Sequence, residues 1–195
     1  MTKIFFILII AASITLSKPG MAITIWPKSD KDWSMLPPFC KARSYSDKHP
    51  TYKSWQRRLG GDFIHVHHYC AALLTFNDAH RYTKRVDIAE QLNAAMSEID
   101  YVEHSSHPNF RLLPHIFKTK ADIFLELKNV THAVMYLNKA IQLNPKFVPA
   151  YTRLADIYYE RGQNDEALKV VNQALKIKPH SRALNKRLKK LQAKK

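Results

Sequence analysis

Residues 148–181 read VPAYTRLADIYYERGQNDEALKVVNQALKIKPHS, and residues 114–147 read PHIFKTKADIFLELKNVTHAVMYLNKAIQLNPKF. Laid one under the other at a shift of 34 residues, the two share a register. Phe117 falls under Tyr151, Ala121 under Ala155, Phe124 under Tyr158, Ala133 under Ala167, Leu137 under Val171, Ala140 under Ala174 and Pro145 under Pro179. The tripeptide Ala121-Asp122-Ile123 recurs letter for letter as Ala155-Asp156-Ile157. Apolar residues spaced by three and four predict amphipathic helices, two in each copy. The alanines let two antiparallel helices approach closely, the aromatic and aliphatic side chains fill the groove between hairpins, and proline stops the second helix.

The second copy, with Tyr151, Leu154, Ala155, Tyr158, Ala167, Val171, Ala174 and Pro179 at these positions, resembles the tetratricopeptide repeat. The resemblance implies an all-α, tetratricopeptide-type stack of helical hairpins. In such a stack the first helix of each hairpin lines a concave groove, and the groove holds a protein or peptide without chemistry being done on it.

Outward from the repeats, the order weakens. From Phe63 to Glu103 the chain is nearly free of Gly and Pro, and Tyr69, Ala72, Leu73 and Phe76, then Ala95, Ile99 and Val102, keep helical spacing. Residues 62–113 are therefore expected to form a degenerate hairpin whose helices are each a turn or more longer than the consensus. Residues 23–61, with Pro27, Pro37, Pro38 and Pro50 set among Trp26, Trp33 and Phe39, predict an extended arm laid on a hydrophobic surface, followed by a short helix ended at Gly60-Gly61. Residues 114–147 and 148–181 are the two good repeats. Residues 182–195 carry Leu184, Leu188 and Leu191 on one face and predict a basic capping helix.

The first residues predict export. Lys3, the apolar run Ile4–Leu16 and Gly20-Met21-Ala22 have the form of a signal peptide over residues 1–22, cleaved after Ala22. The run is shorter than the roughly 20 residues needed to cross a bilayer, which makes an inner-membrane anchor facing the periplasm the alternative. The expected location is the periplasm or outside the cell. There, a lone pair of cysteines, Cys40 and Cys70, is read as a disulfide, with two free thiols as the alternative. Neither belongs to a haem-attachment or C-x-x-C redox signal, so electron transfer and thiol exchange are not indicated.

The chain has 31 Lys plus Arg against 16 Asp plus Glu, a formal charge of +15, and loss of residues 1–22 removes Lys3 and Lys18 and no acid, leaving +13. Outside the cytosol the polyanions on offer are lipid head groups, lipopolysaccharide and acidic glycans rather than nucleic acid. From Ala167 to the end there are ten Lys or Arg and no acid. Lys186, Arg187, Lys189, Lys190, Lys194 and Lys195 surround the leucine stripe and offer a surface for anionic membrane or glycan, against a plain solubilising role.

Equal phase in successive repeats places Asp122 beside Asp156, and Glu126 beside Glu160, with Asp78 in line if the degenerate hairpin keeps the register. Together with Lys118, Thr152, Arg153 and Tyr159 these make the expected partner groove. Its acids argue for a basic or amine-bearing partner over a carboxylate, with partial neutralisation by Lys118 and Arg153, which fall beside them, as the alternative. His65 and His68, at i and i+3, are weak candidates for a metal site because no third ligand position is indicated. The other reading packs His67, His68 and Tyr69 against the arm, with Cys70 pinning it through Cys40.

The segments Leu36-Pro37-Pro38-Phe39-Cys40-Lys41-Ala42-Arg43 and Phe63 to Cys70 resemble the head region of exported proteobacterial tetratricopeptide proteins of unassigned role. That resemblance supports the pairing of Cys40 with Cys70 and supplies no reaction. No G-x-S-x-G turn, H-E-x-x-H helix or glycine-rich phosphate loop is present, and with 4 glycines in all, tight phosphate-cradling turns are scarce. The expected function is a non-enzymatic protein- or peptide-binding scaffold of the cell envelope, without a cofactor. An accessory factor for anionic envelope polymer and a histidine-bound metal carrier or enzyme are the alternatives. The oligomeric state stays open.

Overall fold

The structure is a computed structural model and describes residues 26–193. The signal-peptide reading, residues 23–25 of the arm, and Lys194 and Lys195 lie outside the described residues. Ten α-helices follow one another, with no strand among the described residues: α1 (Asp30–Ser34), α2 (Pro38–Tyr45), α3 (Tyr52–Leu59), α4 (Val66–Ala79), α5 (Arg85–Ser105), α6 (Leu113–Glu126), α7 (Val130–Leu143), α8 (Val148–Glu160), α9 (Asn164–Ile177) and α10 (Arg182–Gln192). Two short 3₁₀ turns, Ser46–Lys48 and Gly61–His65, flank α3.

The helices pack as three antiparallel hairpins, α4 with α5, α6 with α7 and α8 with α9, and α10 closes the stack against α9. The first helices of successive hairpins also touch, α4 to α6 and α6 to α8, so they line one continuous face. Ala133, Ala140, Ala167 and Ala174 are fully buried, as their place at helix crossings requires. Between the two helices of each repeat the backbone makes the same left-handed turn. Lys128 takes φ 62° in the first and Gly162 takes φ 74° in the second, 34 residues on. In both, the next amide donates back across the turn, Asn129 N to Phe124 O at 2.7 Å and Gln163 N to Tyr158 O at 2.9 Å, the C-cap arrangement that satisfies the last free carbonyls of a helix.

The degenerate hairpin is elongated on one side only. Helix α4 has 14 residues, the length of α6 and α7, whereas α5 has 21, so the extra length expected in both helices lies in α5. Leu92, Ala95, Ile99 and Val102 of α5 are buried.

The arm is more helical than the extended chain its prolines suggested. Ser29 accepts a hydrogen bond from Asp32 N while the Asp32 carboxylate accepts from Ser29 N, a capping box that starts α1. Pro38 sits at the first position of α2, where a missing N–H costs nothing and a fixed φ helps the helix begin. Gly60, at φ 76°, ends α3 as expected. The arm is tied to α4 by the Cys40–Cys70 disulfide, with Cα atoms 5.6 Å apart. Beside it Phe39 lies between Trp55, at 5.7 Å, and Tyr69, at 6.4 Å. Arg43 donates to the Ile64 carbonyl at 3.1 Å, and Asp62 accepts from His107 N at 3.0 Å.

Candidate functional site

The face lined by α6, α8 and α10 carries the expected row, and the structure shows what each carboxylate does there. Asp122 accepts from Lys118 Nζ at 2.6 Å on its own helix and from Arg153 Nε at 2.9 Å on α8. One repeat on, Asp156 accepts from Arg187 Nε and Nη2, both at 2.7 Å, on α10. Each pair spans 31 residues, so the same Asp-to-Arg strut joins α6 to α8 and α8 to α10. The Asp156 carboxylate and its hydrogen bonds hold the Arg187 guanidinium above its ordinary range, against the effect of burial. These two acids, set out as bare charge for a ligand, are already matched inside the protein.

Glu126 and Glu160, at the ends of α6 and α8, are exposed and make no ion pair among the described residues. Thr152 donates from its hydroxyl to the Val148 carbonyl at 3.0 Å. Asp78 does not join the row. At the end of α4 it pairs with Arg81 at 2.9 Å, and Arg81 reaches Asp32 of α1 at 3.8 Å, so Asp78 serves the head. The register that placed it in line assumed a strict repeat, which the longer α5 breaks.

Between α8 and α10 lies an open cleft of about 310 Å³, with Tyr159, Asp156, Lys186, Arg187 and Lys190 on its walls. Lys190 stands over the Tyr159 ring at 4.1 Å, a cation–π contact that orders the lysine. Lys186 and Lys190 make no ion pair among the described residues, so with Asp156 and Arg187 cancelling, the cleft is cationic. Lys189 is exposed as well. Leu184 and Leu191 of α10 are buried and Leu188 is half-buried, so the apolar stripe belongs to the core and is not free to enter a bilayer. No helix among the described residues is long and apolar enough to cross a membrane.

The histidines near the disulfide are engaged. His68 Nδ1 meets Glu98 Oε2 of α5 at 2.6 Å, and its ring centroid lies 3.8 Å from that of Tyr101. His65 packs edge-on to the same Tyr101 at 5.7 Å. His67 Nδ1 meets the Ile64 carbonyl at 2.8 Å, and burial together with the neighbouring His68 holds its imidazole below the ordinary range. No group of three or more His, Cys, Asp or Glu able to hold a metal ion occurs among the described residues.

Two polar features of the interior are not legible in the repeat pattern. Lys120 is buried between Asp100 and Glu103 of α5 and lies 4.4 Å over the Tyr136 ring of α7, joining three helices. Burial works against its charge, yet the two carboxylates outweigh this and hold its ammonium above the usual lysine range. Tyr69 is paired with the Thr119 hydroxyl at 3.1 Å; Thr119 donates to the His115 carbonyl, which leaves Tyr69 as the donor to it. Burial pushes the Tyr69 phenol up to about 12. The Arg187 strut had a signal: Arg153 and Arg187 are 34 apart, and each follows an aspartate of the repeated Ala-Asp-Ile by 31.

Among solved structures, the chain is similar to the first tetratricopeptide domain of Spaghetti (RPAP3) bound to the HSP90 peptide SRMEEVD, at 20% identity and TM-score 0.47, covering 63% of this chain and 94% of that one. It is similar to the same extent to the first tetratricopeptide domain of human RPAP3 solved by NMR, at 20% identity and TM-score 0.47, covering 63% of this chain and 90% of that one. No curated protein matches. Residues 124–194 match the family described as tetratricopeptide repeat, and the all-helical hairpin stack is the fold of that repeat.

Proposed function

We propose that the protein is a non-enzymatic scaffold of the cell envelope, and that it holds a segment of a protein partner along the face of α6, α8 and α10. The observation that carries this reading is the cleft between α8 and α10, which has the size of a ligand site and is lined by Ala155, Val171, Ala183 and Tyr159, with two lysines unmatched by any acid among the described residues. The sign of the partner's charge follows from the struts. With Asp122 and Asp156 neutralised by Arg153 and Arg187, the charges left open at the cleft are those of Lys186 and Lys190, so the segment seated there is acidic, while Glu126 and Glu160 stay open at the ends of α6 and α8. The disulfide and the signal-like residues 1–22 support an oxidising, exported location.

The test is a peptide library selected against the purified full chain. Enrichment of acidic segments is expected, with their binding weakened roughly tenfold or more by Lys186→Glu with Lys190→Glu while the far-ultraviolet circular dichroism is unchanged. Both lysines are outside the core, so the double change spares folding. Peptide binding indifferent to the double change would remove the cleft from the function. Salt-sensitive retention of the chain by anionic vesicles, in the absence of any selected peptide, would favour the basic helix as a polymer-binding surface instead.

A further inference from the structure

A second cleft, of about 330 Å³, lies at the other end of the stack, where the head meets the first repeat. Its walls come from four helices: Pro37, Pro38 and Phe39 at the start of α2, Trp55 and Leu59 of α3, Tyr69 of α4, and Leu112 with His115 at the start of α6. The lining is mostly apolar, part aromatic and part aliphatic. The rim is cationic, with Arg58 and Arg111, and no acid lines any part of it. Both arginines are exposed, and neither makes an ion pair among the described residues. Arg58 lies 4.4 Å over the Trp55 ring, so its guanidinium is already held at the cleft mouth with its N–H edges unused by any carboxylate.

We infer that this cleft binds a small amphipathic acid, a molecule with one aromatic ring or an aliphatic body of similar size and a single carboxylate. The body lies against the apolar wall that Pro37, Pro38, Phe39, Trp55 and Leu112 present to the cleft, and the carboxylate meets Arg58 and Arg111. Charge complementarity selects the anion, because two unmatched guanidiniums over an apolar floor are satisfied by a planar carboxylate in fork geometry. The volume sits at the small end of ligand cavities, which favours a molecule of this size over a long acyl chain. Phe39 and Tyr69 are the immediate neighbours of Cys40 and Cys70, so the disulfide holds two walls of the cleft in place before the ligand arrives. This site is separate from the α8–α10 cleft, and either can be right without the other.

The experiment uses the full chain with Trp26→Phe and Trp33→Phe, which leaves Trp55 as the sole tryptophan reporter, and titrates it with 3-phenylpropionate and with its uncharged amide. A saturable change in Trp55 emission is expected with the acid. The amide, and the acid against Arg58→Gln with Arg111→Gln, should bind roughly 10- to 100-fold more weakly, the ordinary worth of charged hydrogen bonds. Reduction of the disulfide should weaken the acid further. The comparison of acid with amide needs no rim variant, so it decides even if the double arginine change perturbs the fold. Absence of a saturable response, or equal binding of acid and amide, overturns the inference. Tighter binding of a peptide ending in phenylalanine than of 3-phenylpropionate overturns the assignment to a small acid.

Discussion

The head and the repeats of this molecule are built on opposite principles. From α6 to α10 the contacts that set the stack recur 34 residues apart: Ala133 with Ala167, Ala140 with Ala174, the turn at Lys128 with that at Gly162, and Asp122–Arg153 with Asp156–Arg187. From α1 to α4 nothing repeats. One covalent bond, a cluster of Phe39, Trp55 and Tyr69, and single hydrogen bonds such as Arg43 to the Ile64 carbonyl hold short helices on α4. The repeats are stabilised by many small equal terms. The head is too small to bury enough apolar surface alone and leans on a staple.

The largest expected effect tests that contrast directly. Cys70→Ser opens a loop of 30 residues and should cost roughly 3 kcal/mol, seen as a fall in melting temperature of about 6 to 12 °C. Hydrogen exchange should locate the loss in α1–α3 and leave α8–α10 protected. A uniform loss across the stack would mean that head and repeats form one cooperative unit and that the contrast is false.

Next in size is the helix crossing. Ala167 is fully buried between α8 and α9, so Ala167→Leu should overpack the hairpin at a cost of roughly 1 to 3 kcal/mol in chemical denaturation. Ala133→Leu, at the same place one repeat earlier, should cost a similar amount. A neutral result at both positions would show the crossings to be loose.

What was legible in the sequence follows the same division. Ala133, Ala140, Ala167 and Ala174 could be placed because periodicity states the same constraint twice, and a coincidence does not repeat at every contact. The arm could not be read as helical from its prolines, because Pro38 breaks a helix in the middle and begins one at its first position, and only the local start signals separate the two. Ser29 with Asp32 was such a signal. Asp122 and Asp156 stand one repeat apart as the 34-residue register requires, whereas Asp78 was put in line with them by a register that α5 does not keep; whether Asp122 and Asp156 face a ligand or a neighbouring arginine depends on the distance between helices, which spacing along the chain does not state. Lys120 defeats sequence reading altogether, since a lysine that lies buried between Asp100 and Glu103 looks in one dimension like any surface lysine.

A smaller effect separates the two repeats from each other. Lys128 adopts a left-handed φ of 62°, which strains an ordinary side chain, where the second repeat has Gly162 at 74°. Lys128→Gly should therefore stabilise the chain by about 0.5 to 1 kcal/mol, although glycine gains freedom when unfolded. Gly162→Ala should lose a comparable amount from backbone strain alone, because a methyl group there would meet no atom within 4 Å. Opposite signs in thermal melts would establish that the two turns are one structure with unequal residues.

The smallest effect concerns the struts, and it ranks them. Asp122 is 13% exposed and is shared by Lys118 and Arg153, whereas Asp156 and Arg187 are each 31% exposed and pair alone near the end of the stack. Double-mutant cycles with Asn and Gln should give about 0.5 to 1 kcal/mol of coupling for Asp122–Arg153 and about 0.2 to 0.5 kcal/mol for Asp156–Arg187, since solvent screens the more open pair. Raising the salt from 0.1 to 1 M shortens the screening length from about 10 Å to 3 Å and should erode the Asp156 coupling first. Because Arg187 also helps seat α10, its loss should increase exchange in α10 while α6 and α7 remain unchanged. Equal couplings with equal salt dependence would mean that exposure does not grade the struts, and that α10 is held by Leu184 and Leu191 alone.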